Sequence, residues 1–182
     1  MDSVTNWNPV WSPDGKFLYF VSDKNGKQIA FASDCNGIYQ IFTVDVDGTN
    51  LKQITFADGQ GASSPVWSSD GKRMAFTSRS TPYVIDLTKS WQEQTPREIK
   101  IGDEKSRFSV WDWSSDGKKL LGAFADDDTR SLGYYSLETN HFEKVLEVSD
   151  AIPSWLSDSR HFIYAFDNKI FIADIETKKH EN

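Results

Sequence analysis

Short apolar runs of about six residues, separated by polar turns, recur along the whole chain. "FLYFVS" (17–22), "RMAFTS" (73–78), "KLLGAF" (119–124) and "HFIYAF" (161–166) each follow such a turn. A second apolar run then closes on an aspartate, as in "IFTVDVDG" (41–48), "YVIDLTK" (83–89) and "IFIADIET" (170–177); in "YYSLET" (134–139) Ser136 takes that place. A shorter segment follows, such as "LKQIT" (51–55) or "FEKVL" (142–146). The runs have strand length and are rich in β-branched and aromatic residues. Asp-Gly and Asn-Gly pairs between them supply the positive φ angles of tight hairpins. No segment holds a helical period over ten residues. The pattern predicts an all-β chain of short antiparallel strands.

The turns themselves repeat. Trp11-Ser12-Pro13-Asp14-Gly15-Lys16, Trp67-Ser68-Ser69-Asp70-Gly71-Lys72 and Trp113-Ser114-Ser115-Asp116-Gly117-Lys118 are three copies of one phrase, and Trp155-Leu156-Ser157-Asp158-Ser159-Arg160 is a worn fourth. Successive tryptophans lie 56, 46 and 42 residues apart. Such a period is the mark of a repeat protein, and one four-stranded antiparallel sheet per unit is a β-propeller blade. The reading is a single β-propeller domain over 1–182, with about four four-stranded blades at 7–56, 63–100, 108–147 and 151–182. The repeated tryptophan stands before the turn between inner strands, where a large ring fills the wedge between neighbouring blades.

The phrases "WSPDGK", "IAFASDCNG", "IFTVDVDGTNLKQIT" and "PVWSSDGK" resemble the TolB-type, WD-repeat-like bacterial β-propeller family. The likeness covers most of the chain apart from the loop at 89–106. It implies a propeller, six-bladed in TolB itself, of a kind often appended to regulators, kinases and serine peptidases.

Two features depart from that pattern. "DGKFLYFVSD" (14–23) is echoed eleven residues later by "NGKQIAFASD" (25–34), with Ser22 where a tryptophan belongs. Either two blades have fused with loss of their middle, the reading we favour, or the first blade carries an additional hairpin strand. The end of the chain is the second feature: "KKHEN" (178–182) is polar for an outer strand, which leaves "DSVTNW" (2–7) as the candidate to complete the last blade. A small closed ring, an open arc and half of a dimeric ring all fit. The last would be a homodimer through unpaired blade edges.

Composition narrows the partners. The net charge is −7 and no more than two basic residues adjoin, so nucleic acid and anionic membrane surfaces are disfavoured. No stretch reaches the roughly 20 apolar residues of a membrane span. The single cysteine, Cys35, allows no internal disulfide, and the opening residues show no signal peptide, which fits either bacterial periplasm or cytoplasm.

No catalytic, metal or cofactor site is legible. "GASSP" (61–65) fails the last position of a G-x-S-x-G elbow and precedes a strand rather than a helix. His141, His161 and His180 lack metal-ligand spacing. "DVDGTNLKQITF" (45–56) has its glycine at the fourth position and Phe56 at the twelfth, which is no calcium loop; the acidic run at 126–128 reads as a hairpin turn, with weak calcium binding as the alternative. Cys35 has no basic neighbour to activate it.

What remains is a binding surface for a protein or peptide. Propellers bind where loops enter the innermost strands, here at 5–9, 61–65, 107–111 and 150–154. Trp7, Asn8, Arg107 and Trp111 are the candidate contacts, because aromatics and arginine dominate hot spots. Trp91, on the long connection at 87–106, is either a further contact or a lid over one blade. The expected function is a non-enzymatic scaffold or sensory module. The alternatives are the substrate-gating propeller of a prolyl-oligopeptidase-like peptidase and a recombined blade set without selected activity.

Overall fold

The structure is a computed structural model. It describes residues 10–11, 18–19, 27–34, 37–59, 61–102, 106–126, 129–148 and 151–182, with backbone alone at 10–11 and 18–19. Every described strand pairing is antiparallel. Strands β1 (Val10–Trp11) and β2 (Leu18–Tyr19) form one sheet; β3 (Gln28–Ser33), β4 (Gln40–Asp45) and β5 (Lys52–Gln53) form the next. Three four-stranded sheets follow, each paired in chain order. These are β6 (Ser63–Trp67), β7 (Arg73–Ser78), β8 (Thr81–Asp86) and β9 (Arg97–Glu98); β10 (Arg107–Trp113), β11 (Lys119–Ala125), β12 (Arg130–Ser136) and β13 (His141–Leu146); and β14 (Ser154–Trp155), β15 (His161–Phe166), β16 (Lys169–Asp174) and β17 (Lys179–Glu181). These are propeller blades.

The long first unit is divided between two sheets. β1 and β2 occupy the positions of a blade's first two strands, and β3 to β5 those of its last three, so the echo at 25–34 begins a separate sheet. The segment 2–7 lies outside the described residues. The last blade does not need it, because Lys179–Glu181 pairs with β16 despite its polarity. The sequence reading missed this strand, and His180 is the physical reason it holds. Its ring stacks on Phe171 at 5.2 Å and on Tyr164 at 6.0 Å, and its Nδ1 hydrogen-bonds the Tyr164 hydroxyl.

The repeated phrase turns out to be a device with two halves. One half locks the turn. The buried Ser68 and Ser114 hydroxyls accept the N–H of Arg73 and Lys119 and donate to Asp70 and Asp116, while those carboxylates accept the N–H of Lys72 and Lys118. Gly71 and Gly117 stand at φ +68° and +73°, where a side chain is strained. Ser159 takes the same left-handed position in the worn copy, at φ 58°.

The other half joins one blade to the next. Trp67, Trp113 and Trp155 are buried against residues of the preceding sheet: Ala30 and Ile41, then Ala75 and Val84, then Leu121 and Leu132. The residue after the motif's lysine reaches forward from that preceding sheet. Arg73 lies 4.9 Å over the Trp113 ring and donates to Gly117 O at 3.0 Å; Lys119 lies 6.0 Å from the Trp155 ring and donates to Ser159 O at 3.2 Å. Each such contact joins a cation to an indole and to a carbonyl in the same place. Asp112 adds a further tie, accepting from Trp155 N at 2.7 Å and Ser154 Oγ at 2.9 Å.

The middle blade solves a crowding problem with two glycines. Gly122 and Gly133 are cross-strand partners, and a Cβ on them would meet backbone oxygens of Ser109 and Glu143 at 2.0 and 2.3 Å. The rings of Phe108, Phe124 and Phe142 pack together over them.

Candidate functional site

The strands that start each blade and the hairpins between second and third strands share one end of the arc. A cavity of about 270 Å³ opens there, built by three consecutive sheets. The β3–β4 connection supplies Tyr39, the loop before β6 supplies Gly61 and Ala62, β6 itself supplies Ser63, the β7–β8 hairpin supplies Thr77 to Ser80, and β10 supplies Ser109.

Local chemistry fixes this wall. Ala62 N donates to Tyr39 O at 2.6 Å, and Gly61 sits at φ +69° with no room for a Cβ beside that same carbonyl. Only glycine lets the loop approach so closely. The hairpin turn places Arg79 and Ser80 at φ 51° and 65°, two successive left-handed residues without the usual Asn-Gly pair. Their side chains stay exposed, and Arg107 at the start of β10 reaches Ser80 Oγ at 3.4 Å. The cavity is therefore lined by the hydroxyl-bearing residues Ser63, Thr77, Ser78, Ser80 and Ser109, with Arg79 in its wall and Arg107 at its rim.

The candidate contacts fare differently. Arg107 is at this mouth, and so is the 61–65 loop. Trp111 is the extra residue of a β-bulge between Val110 and Asp112, half-buried, with a buried indole N–H that has no hydrogen-bond partner among the described residues. Trp91 belongs to a single 3-10 turn, Trp91–Glu93, and packs against Phe76 at 6.3 Å beside the cluster around Trp67. It lines no part of the cavity. Within the same connection, β9 forms an outer strand, and its Arg97 donates to Asn140 Oδ1 of the following blade. Trp7 and Asn8 lie outside the described residues.

The sequence reading missed Tyr39, Arg79 and Ser80. Hairpins between second and third strands face the same way as the loops entering the first, so the repeat alignment held the signal.

Several of the other candidate residues make structural contacts. Asp126 Oδ1 accepts from Thr129 N at 2.7 Å and Thr129 Oγ1 at 3.0 Å, closing a turn; Asp127 and Asp128 lie outside the described residues. No cluster of three metal-ligating side chains occurs among the described residues. His161 Nδ1 lies 2.6 Å from Asp158, and Arg160 bonds Asp174 at 2.6 Å. The amide and ring of His161 hold the Asp158 carboxyl well below the usual range, and the Arg160 guanidinium does the same for Asp174. At Asp116, burial raises the carboxyl, but hydrogen bonds from Ser114, Lys118 and Lys119 outweigh it and the net direction is down. No helix among the described residues is long and apolar enough to cross a membrane.

Comparison with known proteins places the fold. No protein-family model and no curated protein matches the chain. Among solved structures, TolB from Acinetobacter baumannii superposes with a TM-score of 0.70 at 20 % identity, over 90 % of this chain and 42 % of that one. An oligogalacturonate lyase in complex with manganese gives 0.71 at 12 % identity, over 90 % and 50 %. A prolyl endopeptidase gives 0.57 at 18 % identity, over 85 % and 26 %. The chain thus spans half or less of each of these proteins, and the shared feature is a TolB-like β-propeller fold.

Proposed function

We propose that this chain is a non-enzymatic β-propeller scaffold that binds a protein or peptide partner at the hydroxyl-lined mouth. The observation that carries the reading is the convergence of three blades on one cavity with Arg79 and Arg107 beside it. Hydroxyls match the donors and acceptors of a peptide backbone. The two guanidiniums offer forked donors to an acidic side chain or a terminal carboxylate. On a chain of net charge −7, a local arginine pair is a distinct attractor.

The prolyl endopeptidase likeness supports a second reading, in which the propeller gates access to a hydrolase domain.

One experiment tests the binding reading. Labelled peptides with free and amidated C-termini, acidic and neutral, are titrated against the chain and followed by fluorescence polarisation. Arg107→Ala is expected to weaken the best binder about tenfold, a typical interface-arginine effect. Ser109→Trp, which fills the cavity, should abolish binding. A peptide bound equally by both variants overturns the site. Cleavage of the peptides overturns the non-enzymatic reading.

A further inference from the structure

Arg73, Arg97 and Arg160 each have fixed partners within the fold. Arg73 lies over Trp113 and donates to Gly117 O, Arg97 donates to Asn140 Oδ1, and Arg160 is paired with Asp174 and Glu176. The two arginines at the mouth differ. Arg79 and Arg107 are both exposed, and neither is paired with a carboxylate among the described residues; Arg107 makes only the long contact to Ser80 Oγ at 3.4 Å.

The opposite side of the same cavity is apolar. Ile38 and Tyr39, on the β3–β4 connection, are 39 % and 40 % exposed, and Tyr39 lines the cavity. The tie that holds this connection runs from Ala62 N to Tyr39 O, so it uses the backbone and leaves both side chains to solvent. An aromatic beside an aliphatic on the rim of a polar cavity has the composition of an interface anchor. Three successive sheets thus contribute in order. The first brings the apolar pair, the second the hydroxyl-bearing residues and Arg79, and the third Ser109 and Arg107.

A small anion would use the arginines alone, and an apolar molecule the rim alone. A ligand that uses both must carry both groups and cross the cavity. An extended polypeptide does this, because it advances about 3.3 Å per residue and side chains at i and i+2 or i+4 share one face. The donors here are guanidiniums on two elements, the mode that reads an acidic motif, whereas capture of a chain end uses a nest of backbone N–H groups. We propose that the partner at the mouth presents an extended segment in which an Asp or Glu side chain pairs with Arg79 and Arg107, while an apolar side chain about two to four residues away seats on Ile38 and Tyr39. That specificity rests on the reading of the mouth as a peptide site.

The test uses peptides of about ten residues, acetylated and amidated so that no terminal charge remains, with one Phe and one Asp at i and i+2 or i and i+4 in a Gly-Ser background. Counterparts carry Ser for Phe or Asn for Asp, and a further Gly-Ser peptide has a free C-terminus. By fluorescence polarisation, a peptide with both groups is expected to bind the chain about tenfold or more tighter than either counterpart. Arg107→Ala should remove the advantage of Asp over Asn and keep that of Phe over Ser, and Tyr39→Ala should do the reverse. Ile38→Ser is a second probe of the apolar side. All three side chains are exposed, so each variant should keep its circular dichroism. Equal affinity for the capped peptides overturns the specificity, as do losses that fail to sort onto Arg107 and Tyr39, or a preference for the free C-terminus. In those cases Ser109→Trp separates it from the mouth reading: binding that this variant abolishes keeps the mouth as the site, and binding that it leaves unchanged removes site and specificity together. Absence of binding by every peptide up to about 1 mM overturns both.

Discussion

Replacing Ser114 by alanine tests whether the repeated phrase stabilises the blade through its hydroxyl. That hydroxyl is fully buried, accepts the Lys119 N–H at 2.9 Å and donates to Asp116 Oδ1 at 2.5 Å. Leaving one buried N–H unpaired costs about 1–3 kcal/mol, and a hydrogen bond to a charged acceptor contributes about 1.5–3 kcal/mol. The two losses do not add in full. Asp116 keeps the Lys118 N–H at 2.9 Å and the Lys119 ammonium at 3.0 Å. The worn repeat shows a further relief: with Leu156 in place of the serine, Asp158 Oδ1 accepts both Arg160 N at 3.0 Å and His161 N at 2.9 Å. Asp116 can move to do the same. The expected cost of Ser114→Ala is therefore near the lower end, about 2 kcal/mol. Urea unfolding followed by tryptophan fluorescence measures it, with the exposed Ser115→Ala as a control expected within about 0.5 kcal/mol of wild type. If Ser114→Ala is no less stable than that control, and the Lys119 amide keeps its exchange protection, the hydroxyl is not what locks the turn.

Two further outcomes follow from the packing and the charges. Gly122→Ala should destabilise by about 3 kcal/mol or more, because the added carbon meets Ser109 O at 2.0 Å and the Phe108 ring at 2.9 Å; a thermal melt unchanged from wild type refutes the crowding argument. Asp158 and Asp174 have depressed carboxyl pKa values, so their contribution is complete above the unfolded value of about 3.9 and is lost as pH falls below it. The melting temperature should thus hold from neutral pH to about 5 and decline below about 4, and Asp174→Asn should flatten that decline; an unchanged slope sinks the assignment.

How far the fold was legible from sequence depends on which residues carry it. The Trp-Ser-x-Asp-Gly-Lys phrase is read without a structure because its parts act within a few residues of one another: a hydroxyl, a carboxylate and a left-handed glycine close one turn. The wedge role of Trp67, Trp113 and Trp155 follows from the period alone. The outer strands were harder. Lys179–Glu181 is polar, and it is held by His180 stacking on rings of the preceding two strands, a cross-strand contact that no local pattern displays. Arg97–Glu98 is likewise exposed on both residues and hidden in a long charged connection.

The site was legible to the same degree. Arg107 and the 61–65 loop are found by aligning repeats, since each repeat brings its strand entrance to the same end. The bulge that takes Trp111 out of the alternation leaves no mark in an apolar run, so its half-buried placement is seen only in the structure. Of the two roles that Trp91's place on a long charged connection leaves open, its packing on Phe76 is that of a lid over its own blade. The residue after the motif's lysine is the opposite case. Its repetition as Arg73, Lys119 and then His161 was visible throughout, yet its partner is the next repeat's indole and its meaning needs two blades side by side. A repeat sequence describes the inside of one unit well and the joint between units poorly. The mouth, to which three sheets contribute, is a property of the joints.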